Sequence, residues 1–222
     1  MSVKTASTPI ETQKPLTKDE EAVDVDVHLY RSMIGSLMYL TASRLDIMFA
    51  VCACFRFQVT PKTSHPHAVK RIFRYLKGQP KLGLWYPRVS SFDLEAYYDS
   101  DYAGANLDRK STTEEAEYVA AANCYGQVLW IHNQMLDYGF SFMNTKIYID
   151  NESTICIVKN PVFHSKTKQI AIRHYFIRDA YEKKLIQMLK IHTDDNVADL
   201  LTKTFNVSRF NFLIVNIGML NQ

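Results

Sequence analysis

Apolar and polar residues alternate over residues 92–99, FDLEAYYD, with Phe92, Leu94 and Ala96 set against Asp93, Glu95 and Tyr97. A period of two is that of a β-strand with unlike faces. The strand gives out at Asp99-Ser100-Asp101, just ahead of an Ala-Gly turn. Two further strands are predicted, over residues 146–149, which run into Asp150, and over 186–192. Between the strands the spacing turns helical. A long helix is predicted over 113–138, with the stripe Glu117, Ala121, Cys124, Val128 and Ile131 along it. Small residues at Ala120, Ala121 and Ala122 would let that helix sit close to a sheet. Helices over 154–159 and 170–184 follow, the first closed by Asn160-Pro161. Asp194-Asp195-Asn196 then caps a last short helix, with Asp199 one turn in.

Upstream of residue 92 the pattern is helical. Ile34, Leu37 and Met38, then Ile47, Val51 and Cys54, recur at helical spacing, and Thr41-Ala42-Ser43 separates two helices. Both are apolar nearly all round, so they are expected to pack against something the chain itself does not contain. A third helix over 65–76 has Pro66 in its first turn and Gly78 just past its end. It carries an apolar face (Ala68, Val69, Ile72, Phe73, Leu76) and a cationic edge (Lys70, Arg71, Arg74, Lys77). That edge suits phosphates and equally suits a solvated helix face. Residues 81–86 form a short strand, and a boundary is expected at 87–91. The first 27 residues are polar and then acidic, with too little apolar surface to pack. The predicted organisation is therefore a flexible lead (1–27), a helical segment (28–90), an α/β domain (91–205) and a C-terminal tail (206–222).

Composition narrows this picture without changing it. A hydrophobic share of 47% over 222 residues supports a packed core. Net charge of +3 is too small to attract nucleic acid as a whole, so any affinity must come from local patches. The longest apolar run, 47–55, is too short to cross a bilayer, and the polar opening has no signal-peptide pattern. Four cysteines (Cys52, Cys54, Cys124, Cys156) lack zinc-ligand spacing and disulfide density, so a reduced intracellular compartment is expected.

The chemistry lies in the acids. Thr112-Thr113-Glu114-Glu115 has capping-box spacing, which gives Glu115 a structural task. Glu117 instead heads the apolar stripe, where a carboxylate needs a cation or metal to meet it. Asp199 can equally serve its helix dipole. A calcium-loop reading of Asp99-x-Asp101 fails, because Lys110 stands where the twelfth-position Glu is needed. Arg109, Lys110 and Lys166 lie in basic loops that fit a phosphate contact or plain solvation.

The acids follow the order strand-Asp, helix-Glu, strand-Asp, helix-Asp, on Asp99, Glu117, Asp150 and Asp199, in the strings YYDSDYAG, EEAEYVAAA, YIDNESTI and DDNVADLLTK. With YRSMIGSLMYLTASRLDIMFAV and AVKRIFRYLKG upstream, they resemble the end of a Ty1/copia-type retrotransposon polyprotein, where the end of the reverse transcriptase meets a ribonuclease H domain. The resemblance covers nearly the whole chain. It implies an α/β fold with a three-stranded, mainly parallel β-α-β-α-β core and helices on its faces, preceded by a helical reverse-transcriptase connection. It also implies hydrolysis of the RNA strand of an RNA–DNA hybrid with two Mg²⁺ ions, or Mn²⁺ in their place. Asp99 would bridge both ions, Glu117 and Asp150 would serve one, and Asp199 the other. Lys70, Arg71, Arg74, Arg109, Lys110 and Lys166 would meet nucleic acid. The expected partners are the hybrid and the upstream reverse-transcriptase segment, in the cytoplasm (in a virus-like particle) or the nucleus. No polymerase activity is expected, because no paired aspartates follow an aromatic-x strand in the first 90 residues.

The chain departs from that pattern in one large respect. In the family, two strands separate the RKST string from the Glu-bearing helix. Here Arg109-Lys110-Ser111-Thr112-Thr113 runs directly into Glu114. Two strands with turns need roughly 15–25 residues, so a truncated sheet with an exposed edge is expected. Leu45 stands where the family has Pro, and Gln169 to Ile172 and Tyr175-Phe176 replace its His-Ile-acid-Ile and His-Phe strings. A catalytically silent nucleic-acid-binding fragment, or a module docking on a polymerase, are the alternatives to an active nuclease.

Overall fold

A computed structural model describes the chain except residues 1–3, 14–15, 19–20, 89–92, 100–113, 142–143, 160–170 and 222. The side chains of 114–120, 157 and 171–175 are likewise outside the description. In chain order the elements are α1 (Val27–Leu40), α2 (Met48–Phe55), α3 (Ser64–Gly78), β1 (Leu82–Leu84), β2 (Glu95–Tyr98) and α4 (Glu114–Asp137). After them come β3 (Thr145–Ile149), α5 (Glu152–Lys159), α6 (Ala171–Glu182), β4 (Ile186–Lys190), α7 (Val207–Asn216) and β5 (Met219–Asn221). Among the described residues no helix is long and apolar enough to cross a membrane. The protein is a mixed α/β chain in two compact units, Met1–Arg88 with Asp199–Gln222, and Val89–Ala198.

The first unit is built on α1, α2, α3 and α7. Tyr30, Ile34 and Leu37 recur on one face of α1 and are buried with Val51, Cys54, Val69, Ile72, Phe210 and Leu213. Burial pushes the Cys54 thiol up to about 12, so it behaves as a small core residue. Leu45 opens a short 3-10 turn, Leu45–Ile47, a place where proline's fixed φ fits. Ahead of α7, Asn206 accepts from the Arg209 amide. Gly218, at φ +80°, turns the chain into β5, which pairs antiparallel with β1 through Leu84↔Met219.

Two expectations are corrected here. Residues 206–222 are no tail: Phe210, Leu213 and Ile214 have helical spacing, and Met219 is fully buried. The short apolar positions of the lead also suffice to anchor it. Ala6, Ile10 and Leu16 pack on the core, and Thr63 N donates to Val23 O at 3.0 Å. His65 accepts the Lys62 amide at Nδ1 (2.9 Å) and so donates from Nε2 to Thr17 O at 2.8 Å. Arg71 holds the lead most directly. Its guanidinium donates to Thr8 O and Thr8 Oγ1, both at 3.1 Å, and meets Glu11 at 2.8 Å. Arg71→Gln should therefore loosen residues 4–13, seen as faster proteolytic nicking there with little change in helix content.

The second unit is a parallel sheet in the order β2-β3-β4. Its registers are Tyr98↔Ile149 and Ile149↔Lys190. Adjacent parallel strands added in one direction by right-handed crossovers bring every crossover to the same side. The described helices accordingly gather on one face, where Ala121, Tyr125, Val128, Ile155, Val158 and Ile177 pack on Tyr98, Ile147, Ile149, Ile186 and Met188. Of the expected helices on the sheet's faces, those among the described residues cover one. The stripe of α4 also turns slightly, with Ala122 and Tyr125 buried and Cys124 half-buried. The predicted last helix resolves into two 3-10 turns, Thr193–Asp195 and Val197–Leu201. The Asn196 side chain accepts from Ala198 N, two residues on, and sets this tighter geometry.

Candidate functional site

Asp99 and Asp150 are each the first residue beyond a paired strand position, because Tyr98 pairs with Ile149. Neighbouring parallel strands run about 4.8 Å apart, so the sheet brings these two aspartates side by side at its carboxyl edge. Both follow an inward-facing residue and so share one parity of the pleat. Both are half-buried. Ile191 N donates to Ile149 O at 3.0 Å and keeps the third strand alongside at this end. Directly after Asp150, Asn151 accepts from Ser153 N at 2.8 Å and starts α5.

Glu117 lies in the first turn of α4, four residues before the buried Ala121. That spacing puts its backbone on the helix face that meets the sheet. Its side chain, like that of Glu115, is outside the described residues. Among the described residues no three His, Cys, Asp or Glu side chains gather as a metal site. Asp199 belongs to the first unit, where it is 3% exposed and its Oδ1 accepts from Lys203 Nζ at 2.8 Å. The acid-to-lysine spacing of four is the sequence signal for that pair.

The cationic positions divide. Lys70 and Arg74 are exposed on α3, whereas Arg71 is committed to the lead. Arg109, Lys110 and Lys166 lie outside the described residues, as does Asp101.

Three features escaped sequence reasoning. On the sheet face away from the helices, Glu95 accepts from Lys146 Nζ at 3.0 Å and from the Tyr148 hydroxyl at 3.2 Å. The Lys146 contact holds the Glu95 carboxyl below the usual range. Tyr97 and Tyr148 stack beside it, 4.8 Å between centroids. Only the strand register makes these neighbours. The second feature is Asn196, fully buried, whose Nδ2 donates to Tyr98 O at 2.8 Å.

His132 is the third. Its Nε2 lies 2.7 Å from Thr145 Oγ1 at the start of β3, and burial lowers its pKa from the ordinary 6.5. The folded state thus prefers the neutral ring. The stability this contributes is complete above pH 6.5 and is lost as the pH falls through the lowered value. Denaturant midpoints for the second unit should fall between pH 7.5 and 5, and His132→Gln should flatten that slope.

These features define an α/β protein whose second unit sets neighbouring aspartates at the carboxyl edge of a parallel sheet. The chain is 30% identical, over 99% of its length, to the retrovirus-related Pol polyprotein from transposon RE2 of Arabidopsis thaliana, and 31% identical to that from transposon RE1. It is 31% identical over 98% of its length to the Pol polyprotein from transposon TNT 1-94 of Nicotiana tabacum. The chain belongs to the Pol polyproteins of copia-type retrotransposons. It spans 17% of the RE1 and RE2 polyproteins. The aligned length with RE2, 246 positions, exceeds the chain's own 222 residues, so about two dozen positions of that relative have no counterpart here. No family model matches the chain, and no solved structure matches it.

Proposed function

We propose that the second unit, continued by the turn at Asp199, is a ribonuclease H-like domain that hydrolyses the RNA strand of RNA–DNA hybrids during reverse transcription. The observation that carries this reading is the pair of aspartates at adjoining strand ends of a parallel sheet on which α4 packs. Carboxylates are hard oxygen donors of the kind Mg²⁺ takes, and Mn²⁺ accepts the same set. Asp99, Glu117, Asp150 and Asp199 are the residues that would hold the ions. When bound, two such ions supply a water activated for attack and charge stabilisation for the leaving oxygen. The chain's own part is to present acids on strand ends that a hydrogen-bonded register holds in place. Lys70 and Arg74 on α3 offer cations for the phosphate backbone, joined by Arg109, Lys110 and Lys166 from the loops. The missing positions fall, in this reading, between Thr113 and Glu114. The upstream reverse-transcriptase segment is the expected partner, inside the particle or the nucleus.

A second reading is a catalytically silent binder of nucleic acid. It is favoured by the Lys203–Asp199 ion pair, which already neutralises one acid of the set. A hybrid carrying a 5′-labelled RNA strand separates the two. In Mg²⁺ the nuclease shortens the RNA of the hybrid and spares the same RNA in an RNA duplex. A protein that retards the hybrid on a gel and leaves the RNA whole is the silent binder.

A further inference from the structure

Asn196 is 0% exposed, so both of its amide atoms need partners within the fold. Its Nδ2 donates to Tyr98 O at 2.8 Å, and its Oδ1 accepts from Ala198 N at 3.2 Å. Tyr98 is the residue before Asp99, and Ala198 is the residue before Asp199. One buried side chain therefore ties down the backbone immediately ahead of each of two aspartates. The two bonds have different origins. The Ala198 bond is a local Asx turn, two residues long. The Tyr98 bond joins residues 98 positions apart and reaches a carbonyl at the last position of β2. That carbonyl belongs to the peptide leading into Asp99, so its orientation sets where the Asp99 backbone starts.

We infer that Asn196 is a positioning residue for Asp99: its amide clasps the end of β2 and holds that aspartate's backbone for divalent-ion binding. The inference rests on the nuclease reading above. A burial role alone would be satisfied by any side chain that fills the space, whereas the clasp needs the donor on Nδ2. Partners that orient metal ligands typically change ion affinity by about 10–100-fold when removed.

The test uses the full chain and two variants. Asn196→Ala removes both bonds. Asn196→Ser leaves a hydroxyl that can accept from Ala198 N as a short turn but cannot reach Tyr98 O. Mn²⁺ binding is measured by calorimetry, and hybrid cleavage is followed as Mg²⁺ is varied, on protein whose circular dichroism matches wild type. The expected result for both variants is Mn²⁺ affinity weakened about tenfold and a matching rise in the Mg²⁺ needed for half-maximal cleavage. Wild-type ion affinity in a folded Asn196→Ser variant overturns the clasp and leaves the nuclease reading standing. A wild-type protein that binds Mn²⁺ and cleaves nothing removes the nuclease reading, and the Mn²⁺ comparison still decides the clasp. A wild-type protein that does neither overturns both.

Discussion

Asp99→Asn should abolish hybrid cleavage while leaving hybrid binding in place. The change keeps the side chain's size and its place beyond Tyr98, so the register Tyr98↔Ile149 and the core beneath it are undisturbed. What it removes is the negative charge that would hold both ions. Partners that merely orient metal ligands are worth about 10–100-fold, so loss of a bridging ligand should exceed about a hundredfold in turnover. Asp150→Asn, on the adjoining strand end, should behave alike. The measurement is initial cleavage rate in Mg²⁺ with gel retardation of the same hybrid alongside. Residual cleavage near the wild-type rate in Asp99→Asn would remove Asp99 from the site. A loss of unfolding cooperativity in the variant would instead assign it to the fold.

The second large effect is expected in the first unit, far along the chain from those acids. Asp46 is completely buried and receives two hydrogen bonds from Arg44, Nε to Oδ1 at 2.9 Å and Nη2 to Oδ2 at 2.7 Å. The remaining Nη1 donates to Gln79 O at 3.1 Å, just past the end of α3. Tyr75 lies under the guanidinium, and burial followed by the Asp46 carboxylate pushes its phenol well above its ordinary range. Asp46→Ala would leave the Arg44 cation buried without its counter-charge. Breaking such a pair from one side costs about 3–5 kcal/mol, a large part of a typical domain's stability. Urea unfolding should show it as a lowered midpoint at constant slope. Replacing both partners with apolar residues, as in Arg44→Met with Asp46→Leu, should recover most of the loss. A cost below about 1 kcal/mol for Asp46→Ala would place the pair among solvated surface bridges.

The apolar periods along the chain announced nearly every element. The alternation at 92–99 and the apolar runs at 146–149 and 186–192 became β2, β3 and β4, and the helical spacings became α1 to α6. Local periodicity suffices there because each element buries one face, and burial of one face leaves its period in the sequence. The lead and the C-terminal segment differ from those elements in what anchors them. The lead has few apolar residues, and both segments are held by partners distant in sequence, Thr8 by Arg71 and Met219 by Leu84.

For the candidate site, the sequence by itself determined which acids stand at the ends of elements, since strand and helix limits follow local pattern. It also determined the family, through strings of residues kept in order. Only the tertiary structure decided that Asp99 and Asp150 adjoin, that the described helices share one face, and that Arg71 binds the lead. It alone decided that Asn196 fastens the end of β2. Each of these is a long-range pairing, and neither strand register nor the reach of a buried amide can be read from neighbouring residues.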